Sequence, residues 1–261
     1  MAPDMEPDER TRHGSSFGAA AAAYAEHRPD YAEAAVRWAL EPAPGAPRVL
    51  DMGAGTGKLT STLVAIGADV TAVEPDPAML AELQRLLPGV RSLPGSAEAI
   101  PLPDGSVDAV VVGQALHWFD MAVAGPEIFR VLAPGGVLAG LWNVDDDRVE
   151  WVAGLERVSE GSAAVTLSNW LAQASDAHLA QIDLADLFEP PERAEVPHGQ
   201  LRTAESLVAT LATHSRLLVM DDDERARLLT RISEYLHGRP ETATGEFTLP
   251  MVTCVLRTRR R

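Results

Sequence analysis

The chain has 261 residues, with 22 Lys and Arg against 38 Asp and Glu, and a formal net charge of −16. This excess of acids removes the counterion-release energy that drives binding to phosphate backbones, so nucleic acid is not an expected partner. The single cysteine, Cys254, excludes intrachain disulfides, iron–sulfur clusters and multi-thiolate zinc sites, and indicates a reducing compartment such as the cytoplasm. No apolar run approaches the ~18 residues of a membrane span, so no membrane partner is expected either.

The first part of the chain changes from a polar tail to helical patterns. Met1–Gly14 is acidic and lacks apolar periodicity, which predicts a disordered tail. Phe17–Glu26 and Tyr31–Leu40 have helical patterns separated by a proline, and we interpret residues 15–47 as an N-terminal helical lid. Glu41–Pro47 holds three prolines and a glycine, which predicts a linker.

Short apolar runs then alternate with helical patterns. The runs lack polar alternation, which is typical of strands buried on both faces of a parallel sheet covered by helices. The predicted fold class is therefore α/β. The predicted strands are Val49–Met52, Asp69–Glu74, Val90–Leu93, Val107–Gly113 and Val137–Trp142, and the predicted helices are Lys58–Ile66, Pro77–Leu87 and a segment within Ala122–Leu132.

The last part of the chain is mostly helical in pattern. Residues 145–244 contain one strand candidate, near Ala194–Leu201, and Glu246–Arg257 predicts a closing strand. The acids of Asp221–Glu224 are expected at a helix N-terminus, where they complement the helix dipole. The basic residues at the end, Arg257–Arg261, are expected to form a solvated chain end.

The most informative segment is the glycine-rich turn between the first predicted strand and helix, Asp51–Lys58. Three alternate glycines let the backbone approach a ligand closely. A P-loop is excluded, because Met52 stands at its first glycine position and Leu59 at its hydroxyl position. The dinucleotide fingerprint is also missed, since Lys58 stands at its third glycine, which weakens a nicotinamide cofactor without excluding it.

A second signal is Glu74, at the predicted end of the second strand and 19 residues beyond Gly55. A carboxylate at this place can accept hydrogen bonds from both hydroxyls of a ribose. The glycine-rich turn and Glu74 together predict an adenosine-containing cofactor. They do not distinguish an enzyme that transfers a methyl group from one that transfers a hydride.

An acid followed by Gly-x-Gly-x-Gly resembles the first motif of the class I S-adenosylmethionine-dependent methyltransferases. Glu74, Gly95–Asp108 and Val110–Asp120 follow in the order and spacing of that family's later motifs. The strings Tyr-x-x-x-Arg-Pro-x-Tyr from Tyr24 and Gln-Ala-x-His-Trp-Phe-Asp from Gln114 are most similar to its small-molecule branch, with ubiquinone-pathway and trans-aconitate-type enzymes. The resemblance implies a Rossmann-like sheet of seven mostly parallel strands with helices on both faces. It further implies a cofactor-binding core of residues 48–144 and 245–261, and a helical cap inserted before the last strands. Residues 145–244 would form this largely helical substrate cap, with one core strand.

The resemblance also implies a set of cofactor contacts. Asp51 is expected to hold the amino group of S-adenosylmethionine, and Arg28 to bind either its methionine carboxylate or an acidic substrate. Ser96 stands where the family often has an acid, so the adenine amino group is left to the Ser96 hydroxyl, the Ala97 backbone or Glu98. The expected cofactor-binding residues are Tyr24, Arg28, Asp51, Gly53, Ala54, Gly55, Gly57, Glu74, Pro75, Met79, Ser96, Ala97, Glu98 and Gln114.

The acceptor side carries fewer signals. His117 is the candidate general base, although a histidine at a strand end is also a common wall residue. Asp145–Asp147 cannot all face one ion, and the histidines lack ligand spacing, so no metal site is predicted. The leading hypothesis is a methyltransferase acting on a small molecule as a monomer or homodimer; the alternatives are a non-methylating enzyme such as a cyclase, and a non-catalytic adenosine-ligand binding protein. The expected substrate-binding residues are Tyr31, His117, Trp118 and Trp142.

Overall fold

The computed structural model describes residues 28–159, 166–174, 186–212, 214, 217 and 220–261. The predicted tail Met1–Gly14, the predicted helix Phe17–Glu26 and Tyr24 lie outside these residues. Seven strands form one sheet: β1 (Arg48–Met52), β2 (Asp69–Glu74), β3 (Arg91–Pro94), β4 (Val107–Gly113), β5 (Leu132–Asp145), β6 (Glu192–Arg202) and β7 (Phe247–Arg259). The helices of the described residues are α1 (Glu33–Leu40), α2 (Lys58–Ala65), α3 (Pro77–Leu86), α4 (Met121–Val131), α5 (Glu150–Val158), α6 (Leu167–Ala174), α7 (Ala204–Ala212) and α8 (Asp222–His237).

The strands lie in the order β3-β2-β1-β4-β5-β7-β6. The first five are parallel, and β7 runs antiparallel between β5 and β6. The order reverses direction beside β1, which leaves a crevice at the carboxyl ends of β1 and β4. In open α/β sheets this is where ligands bind.

Two apolar cores cover the two faces of the sheet. Alternate residues of β4 divide between them, because successive side chains of a strand point to opposite faces. Ala109 and Val111 pack with α1 and α2, whereas Val110 and Val112 pack with α4. The predicted Rossmann-like fold with a mostly parallel seven-stranded sheet is confirmed.

The helices after β5 form a core of their own. Side chains of α5, α7 and α8 pack against the first half of β7, with Trp151 edge-on to Phe247. α8 begins where the acids of Asp221–Glu224 predict a helix N-terminus, and the Asp221 carboxylate accepts hydrogen bonds from the Asp223 and Glu224 N–H groups.

Element bounds differ from the sequence predictions mainly in the last strands. β5 extends past the predicted Val137–Trp142 to Asp145, because it pairs along its length with the long antiparallel β7. The prediction of a solvated end at Arg257–Arg261 is wrong. β7 continues to Arg259, and the Arg257 and Arg260 guanidinium groups lie over the rings of Trp38 and Phe129. Cation–π contacts and sheet pairing hold this basic segment against the protein.

Candidate functional site

The glycine-rich turn joins β1 to α2 at the carboxyl edge of the sheet. Gly53, Gly55 and Gly57 have φ angles of 69°, 57° and 90°, a conformation that side chains with a Cβ rarely adopt. The N–H groups of Gly53 and Ala54 both donate to the Val73 carbonyl, at 2.9 and 3.1 Å, so the turn is fixed to the end of β2.

The three glycines are required for different reasons. A Cβ on Gly53 would lie 2.9 Å from Ala115 Cβ, and one on Gly57 would lie 2.9 Å from Leu87 Cδ1. These two glycines therefore allow close packing. A Cβ on Gly55 would meet no atom within 4 Å, so the space beside Gly55 is open to a ligand.

Glu74 joins the turns that follow β1 and β2. Its side chain is buried, and its two carboxylate oxygens accept hydrogen bonds from the Gly55 and Asp76 N–H groups, each at 2.9 Å. Burial raises the pKa of this carboxyl, while the two N–H donors oppose that shift. Each oxygen keeps a second lone pair that can accept a ribose hydroxyl.

Asp51 is fully buried at the carboxyl end of β1. One of its oxygens, Oδ2, accepts a 2.6 Å hydrogen bond from the Thr60 hydroxyl on α2. The other, Oδ1, is buried without a hydrogen-bond partner among the described residues. Burial, together with the nearby Glu74 charge, raises the pKa of Asp51 to about 7. A buried acceptor of this kind fits an amino group of a ligand, since buried polar atoms are nearly always hydrogen-bonded. The S-adenosylmethionine predicted from the sequence thus fits both the open space at Gly55 and this acceptor.

Gln114 follows β4 and has a positive φ of 57°, the one non-glycine residue in this conformation among those described. Its N–H donates to the Leu141 carbonyl and its Nε2 to the Asn143 carbonyl, both at 2.9 Å. Strained backbone at a strand end is typical of ligand sites. The two hydrogen bonds fix Gln114 in this strained conformation.

Asn143 is a buried residue that sequence reasoning missed. Its Nδ2 donates to the Asp30 carbonyl at 3.1 Å, and its Oδ1 accepts from the Thr253 hydroxyl at 2.7 Å. The Thr253 oxygen in turn accepts from the Ala32 N–H at 3.2 Å. This network attaches the segment before α1 to β5 and β7. No local motif indicates this network, because the residues that each of its hydrogen bonds joins lie more than 100 positions apart in the chain.

The loop after β3 holds the three candidates for adenine recognition. Ala97 is buried and Ser96 is half-buried. The Glu98 carboxylate accepts a 3.0 Å hydrogen bond from the Asp120 N–H, which ties this loop to the start of α4. The Glu98 carboxylate is therefore already engaged in a contact within the chain. That contact does not involve Ser96 or Ala97.

The N-terminal segment contributes Arg28 and Tyr31. Tyr31 is buried, and a Cβ on Gly113 would lie 2.6 Å from its hydroxyl oxygen, so this ring lies directly on the end of β4. The Lys58 ammonium, at the start of α2, lies 3.2 Å from an Asp30 carboxylate oxygen.

The other predicted residues divide into two groups. His117 and Trp118 form a short 3₁₀ turn after β4, with ring centroids 4.7 Å apart, and His117 is exposed. Trp142 lies instead across Gly140, with its ring 5.8 Å from that of Trp170 on α6.

Two predicted cofactor-binding residues follow Glu74 in the chain. Pro75 is exposed, and Met79 is buried in α3.

An open cleft of about 410 Å³ lies beside this site, between the segment before α1, the start of α2 and the end of β6. We call it the basic cleft. Sequence reasoning did not predict this cleft, because more than half of its described lining comes from β6, a strand without a recognisable motif. Its lining residues are Arg28, Asp30, Tyr31, Lys58, His198, Gly199, Gln200, Leu201 and Arg202.

Two further searches covered the described residues alone. No group of three or more His, Cys, Asp or Glu side chains there is arranged to hold a metal ion. No described helix has both the length and the apolar character that crossing a bilayer requires.

Comparison with known proteins identifies the family. Residues 50–140 match the family model described as a methyltransferase domain. A protein of Mycobacterium tuberculosis H37Rv described as an uncharacterized methyltransferase is 40% identical over 243 residues, which cover 93% of this chain and 94% of the relative. The chain belongs to the class I S-adenosylmethionine-dependent methyltransferases.

Two other relatives agree with this assignment. The methyltransferase is 26% identical to a solved structure from Anaeromyxobacter dehalogenans, described as a candidate type II methyltransferase, with a TM-score of 0.64 over 89% of this chain and 97% of the other. It is also 35% identical over 137 residues to a malonyl-[acyl-carrier protein] O-methyltransferase of Enterobacter lignolyticus, covering 52% of this chain and 55% of that protein. The predicted family and enzyme class are confirmed.

Proposed function

We propose that this methyltransferase transfers the methyl group of S-adenosylmethionine to a small-molecule acceptor, and that the cofactor lies between the glycine-rich turn, Glu74 and Asp51. One observation carries the placement. The buried Glu74 carboxylate accepts a hydrogen bond from the Gly55 N–H, and the position of a Cβ on Gly55 is open space. Asp51 Oδ1 is buried without a hydrogen-bond partner among the described residues. A ribose and an amino group satisfy these two acceptors.

When bound, the cofactor supplies an electrophilic methyl carbon on a sulfonium. The chain's own contribution is to hold the reactants in line and to keep water out. Asp51 binds the amino group, Glu74 orients the ribose, and the backbone at Gly55 allows close approach. The exposed His117 lies after β4, at the carboxyl edge of the sheet, and is proposed as the group that removes a proton from a neutral acceptor.

The acceptor is proposed to be a small molecule because the basic cleft, with a volume of about 410 Å³ and a mainly polar lining, has the size of a small-molecule site. Part of the chain is related to an enzyme named for a malonyl group on acyl-carrier protein, which supports an acceptor that bears a carboxylate. A strongly acidic chain is in addition unsuited to nucleic acid as the acceptor.

Glu74→Gln tests the cofactor placement. The amide keeps the shape of the side chain but turns one acceptor into a donor, which faces either a backbone N–H or a ribose hydroxyl. We expect the affinity for S-adenosylhomocysteine, measured by calorimetry, to fall about tenfold or more. Glu33→Gln, an exposed acid on α1, is the matched control and should bind as the parent does.

Methyl transfer itself is tested with cofactor carrying an isotope-labelled methyl group. Label in a small-molecule product supports the proposal, and turnover of an acceptor without label supports a cyclase-like activity instead. An unchanged S-adenosylhomocysteine affinity in Glu74→Gln would place the ribose elsewhere.

A further inference from the structure

Two buried side chains hold the segment before α1, one on each side of Tyr31. The carbonyl of Asp30 accepts a 3.1 Å hydrogen bond from Asn143 Nδ2 on β5. The N–H of Ala32 donates a 3.2 Å hydrogen bond to Thr253 Oγ1 on β7. A third bond, of 2.7 Å, runs from the Thr253 hydroxyl to Asn143 Oδ1. We call the side chains of Asn143 and Thr253 the anchor pair.

The chemistry of the groups sets the direction of these bonds. The Asp30 carbonyl can only accept, so the amide nitrogen of Asn143 faces it and the amide oxygen is left to accept from Thr253. The Thr253 hydroxyl donates its one hydrogen to Asn143, so it can only accept from Ala32. Asn143 is 7% exposed and Thr253 is fully buried. Loss of the Thr253 hydroxyl would therefore leave polar groups without a partner, which is costly.

The segment that the anchor pair holds crosses the crevice at the carboxyl ends of β1 and β4. The Asp30 carboxylate lies 3.2 Å from the ammonium of Lys58, the first residue after the glycine-rich turn. The Tyr31 ring lies on Gly113 at the end of β4. The segment therefore borders the space in which the cofactor is proposed to lie.

Asn143 holds a second wall of the same space. Its carbonyl accepts a 2.9 Å hydrogen bond from Nε2 of Gln114, the residue with a positive φ that follows Gly113. A change at Asn143 would disturb both walls at once. The position of the segment is therefore tested at the other two members of the network, Thr253 and Ala32.

We propose that Thr253 is a positioning residue for the cofactor, which holds the segment of Tyr31 across the crevice through the Ala32 N–H and Asn143. A ligand binds more weakly when the conformation that receives it is only partly populated, in proportion to that population. Release of the segment therefore weakens cofactor binding without removal of any group that touches the cofactor. Thr253 lies outside residues 50–140, which match the family model. This inference rests on the proposed function.

Thr253→Val is the principal test, because valine keeps the shape of threonine but can neither accept from Ala32 nor donate to Asn143. We expect its affinity for S-adenosylhomocysteine, measured by calorimetry, to fall about tenfold. Thr253→Ser keeps the hydroxyl and should bind within about threefold of the parent.

Ala32→Pro tests the same bond from the segment and leaves β7 unchanged. Proline lacks the N–H that donates to Thr253, and the φ of −59° at Ala32 is one that proline adopts. We expect Ala32→Pro to weaken S-adenosylhomocysteine binding about tenfold as well. This variant carries the test if Thr253→Val does not fold.

Thr242→Val is the matched control. Thr242 is 1% exposed, and its hydroxyl donates a 2.6 Å hydrogen bond to the carbonyl of Leu236 on α8. Leu236 belongs to the separate core that α8 forms with α5 and α7. Thr242→Val should therefore lose stability to urea but bind S-adenosylhomocysteine as the parent does.

A second measurement follows the segment itself. Amide hydrogen exchange of residues 30–36 in the ligand-free protein, read by mass spectrometry, should be faster in Thr253→Val than in the parent. Exchange in this segment should be unchanged in Thr253→Ser and in Thr242→Val.

The outcomes separate the two proposals. If the parent fails to bind S-adenosylhomocysteine, the proposed function fails and this inference with it. If the parent binds and Thr253→Val or Ala32→Pro binds equally well, the inference is overturned alone. It is also overturned if Thr242→Val loses as much affinity as Thr253→Val, because general stability would then explain the loss. Weak binding by Thr253→Ser, or unchanged exchange in the segment of Thr253→Val, would show that the hydroxyl does not hold the segment.

Discussion

At the scale of single residues, a comparison of Gly55 with Gly45 distinguishes a role in ligand binding from a role in folding. Its φ is +57°, and no atom lies within 4 Å of the position a Cβ would take. Gly45, in the linker before β1, has a φ of +50° and equally open surroundings. Replacing either glycine by a residue with a Cβ therefore imposes the same backbone strain, in a different part of the protein.

We expect Gly55→Ala and Gly45→Ala each to lower the free energy of unfolding by about 1 kcal/mol, because alanine is strained at positive φ. Only Gly55→Ala should also weaken S-adenosylhomocysteine, by about tenfold or more, since its methyl group would occupy the open space. Urea denaturation and calorimetry measure the two effects. Equal cofactor affinities in both variants would show that the ligand does not approach Gly55.

Asp51 makes stability depend on pH. Its pKa is raised from 3.8 to about 7, so between these values the folded chain holds a proton that the unfolded chain has released. Proton binding by the folded state stabilises it at low pH, and this contribution is lost as the pH rises through about 7.

Asp51→Asn keeps the shape of the side chain and cannot ionise. We expect the stability of the parent relative to Asp51→Asn to fall between pH 5 and pH 8, as followed by urea denaturation at each pH. Asp223→Asn, at an exposed acid in the first turn of α8, is the control and should show no such trend. A constant difference between the parent and Asp51→Asn across this range would contradict a raised pKa.

At the scale of elements, Asn143 connects four parts of the fold. Its side chain bonds to the segment before α1 and to β7, and its carbonyl accepts from Gln114 at the end of β4. Removal of the side chain leaves a buried hydroxyl on Thr253 without its acceptor and the Asp30 carbonyl without its donor.

Asn143→Ala should therefore lower the free energy of unfolding by about 2 kcal/mol or more. Asn169 on α6 donates a hydrogen bond to Glu156 on the protein surface. Asn169→Ala should change the free energy of unfolding by less than about 0.5 kcal/mol. Chemical denaturation of both variants checks the prediction. Similar losses for the two would show that the buried network adds nothing.

At the scale of the whole molecule, Arg257 joins the last strand to the region of α1. Its guanidinium lies over the Trp38 ring, with 3.8 Å between the guanidinium carbon and the ring centroid. It also pairs with Glu41 at 2.9 Å and with Glu192 at 2.6 Å, and its side chain is only 11% exposed. One residue of β7 thus contacts α1, the linker after α1 and β6.

We expect Arg257→Met to lower the free energy of unfolding by about 2 kcal/mol, because the Trp38 ring loses its cation and two exposed carboxylates each lose an ion pair. Arg259→Met, two residues further along β7 and exposed, should have little effect. Thermal unfolding of the two variants provides the comparison. If both melt with the parent, the chain end contributes no more than a solvated tail.

Patterns local to the sequence determined much of this protein. Mainly apolar runs specified β1, β2 and β4 to within a residue, because strands buried on both faces need apolar side chains at most positions. The glycine spacing and Glu74 located the proposed cofactor site. A tight turn at positive φ and an acid at a strand end both depend on residues adjacent in the chain.

Only the tertiary structure decided how distant segments meet. The full extent of β5 came from its pairing with β7, and the partners of the Asn143 side chain lie more than 100 residues away. The basic cleft likewise brings Arg28 and Lys58 to Arg202, across most of the chain. The physical reason is that side-chain periodicity reports which face of an element is buried. It carries no information about which other element will cover that face.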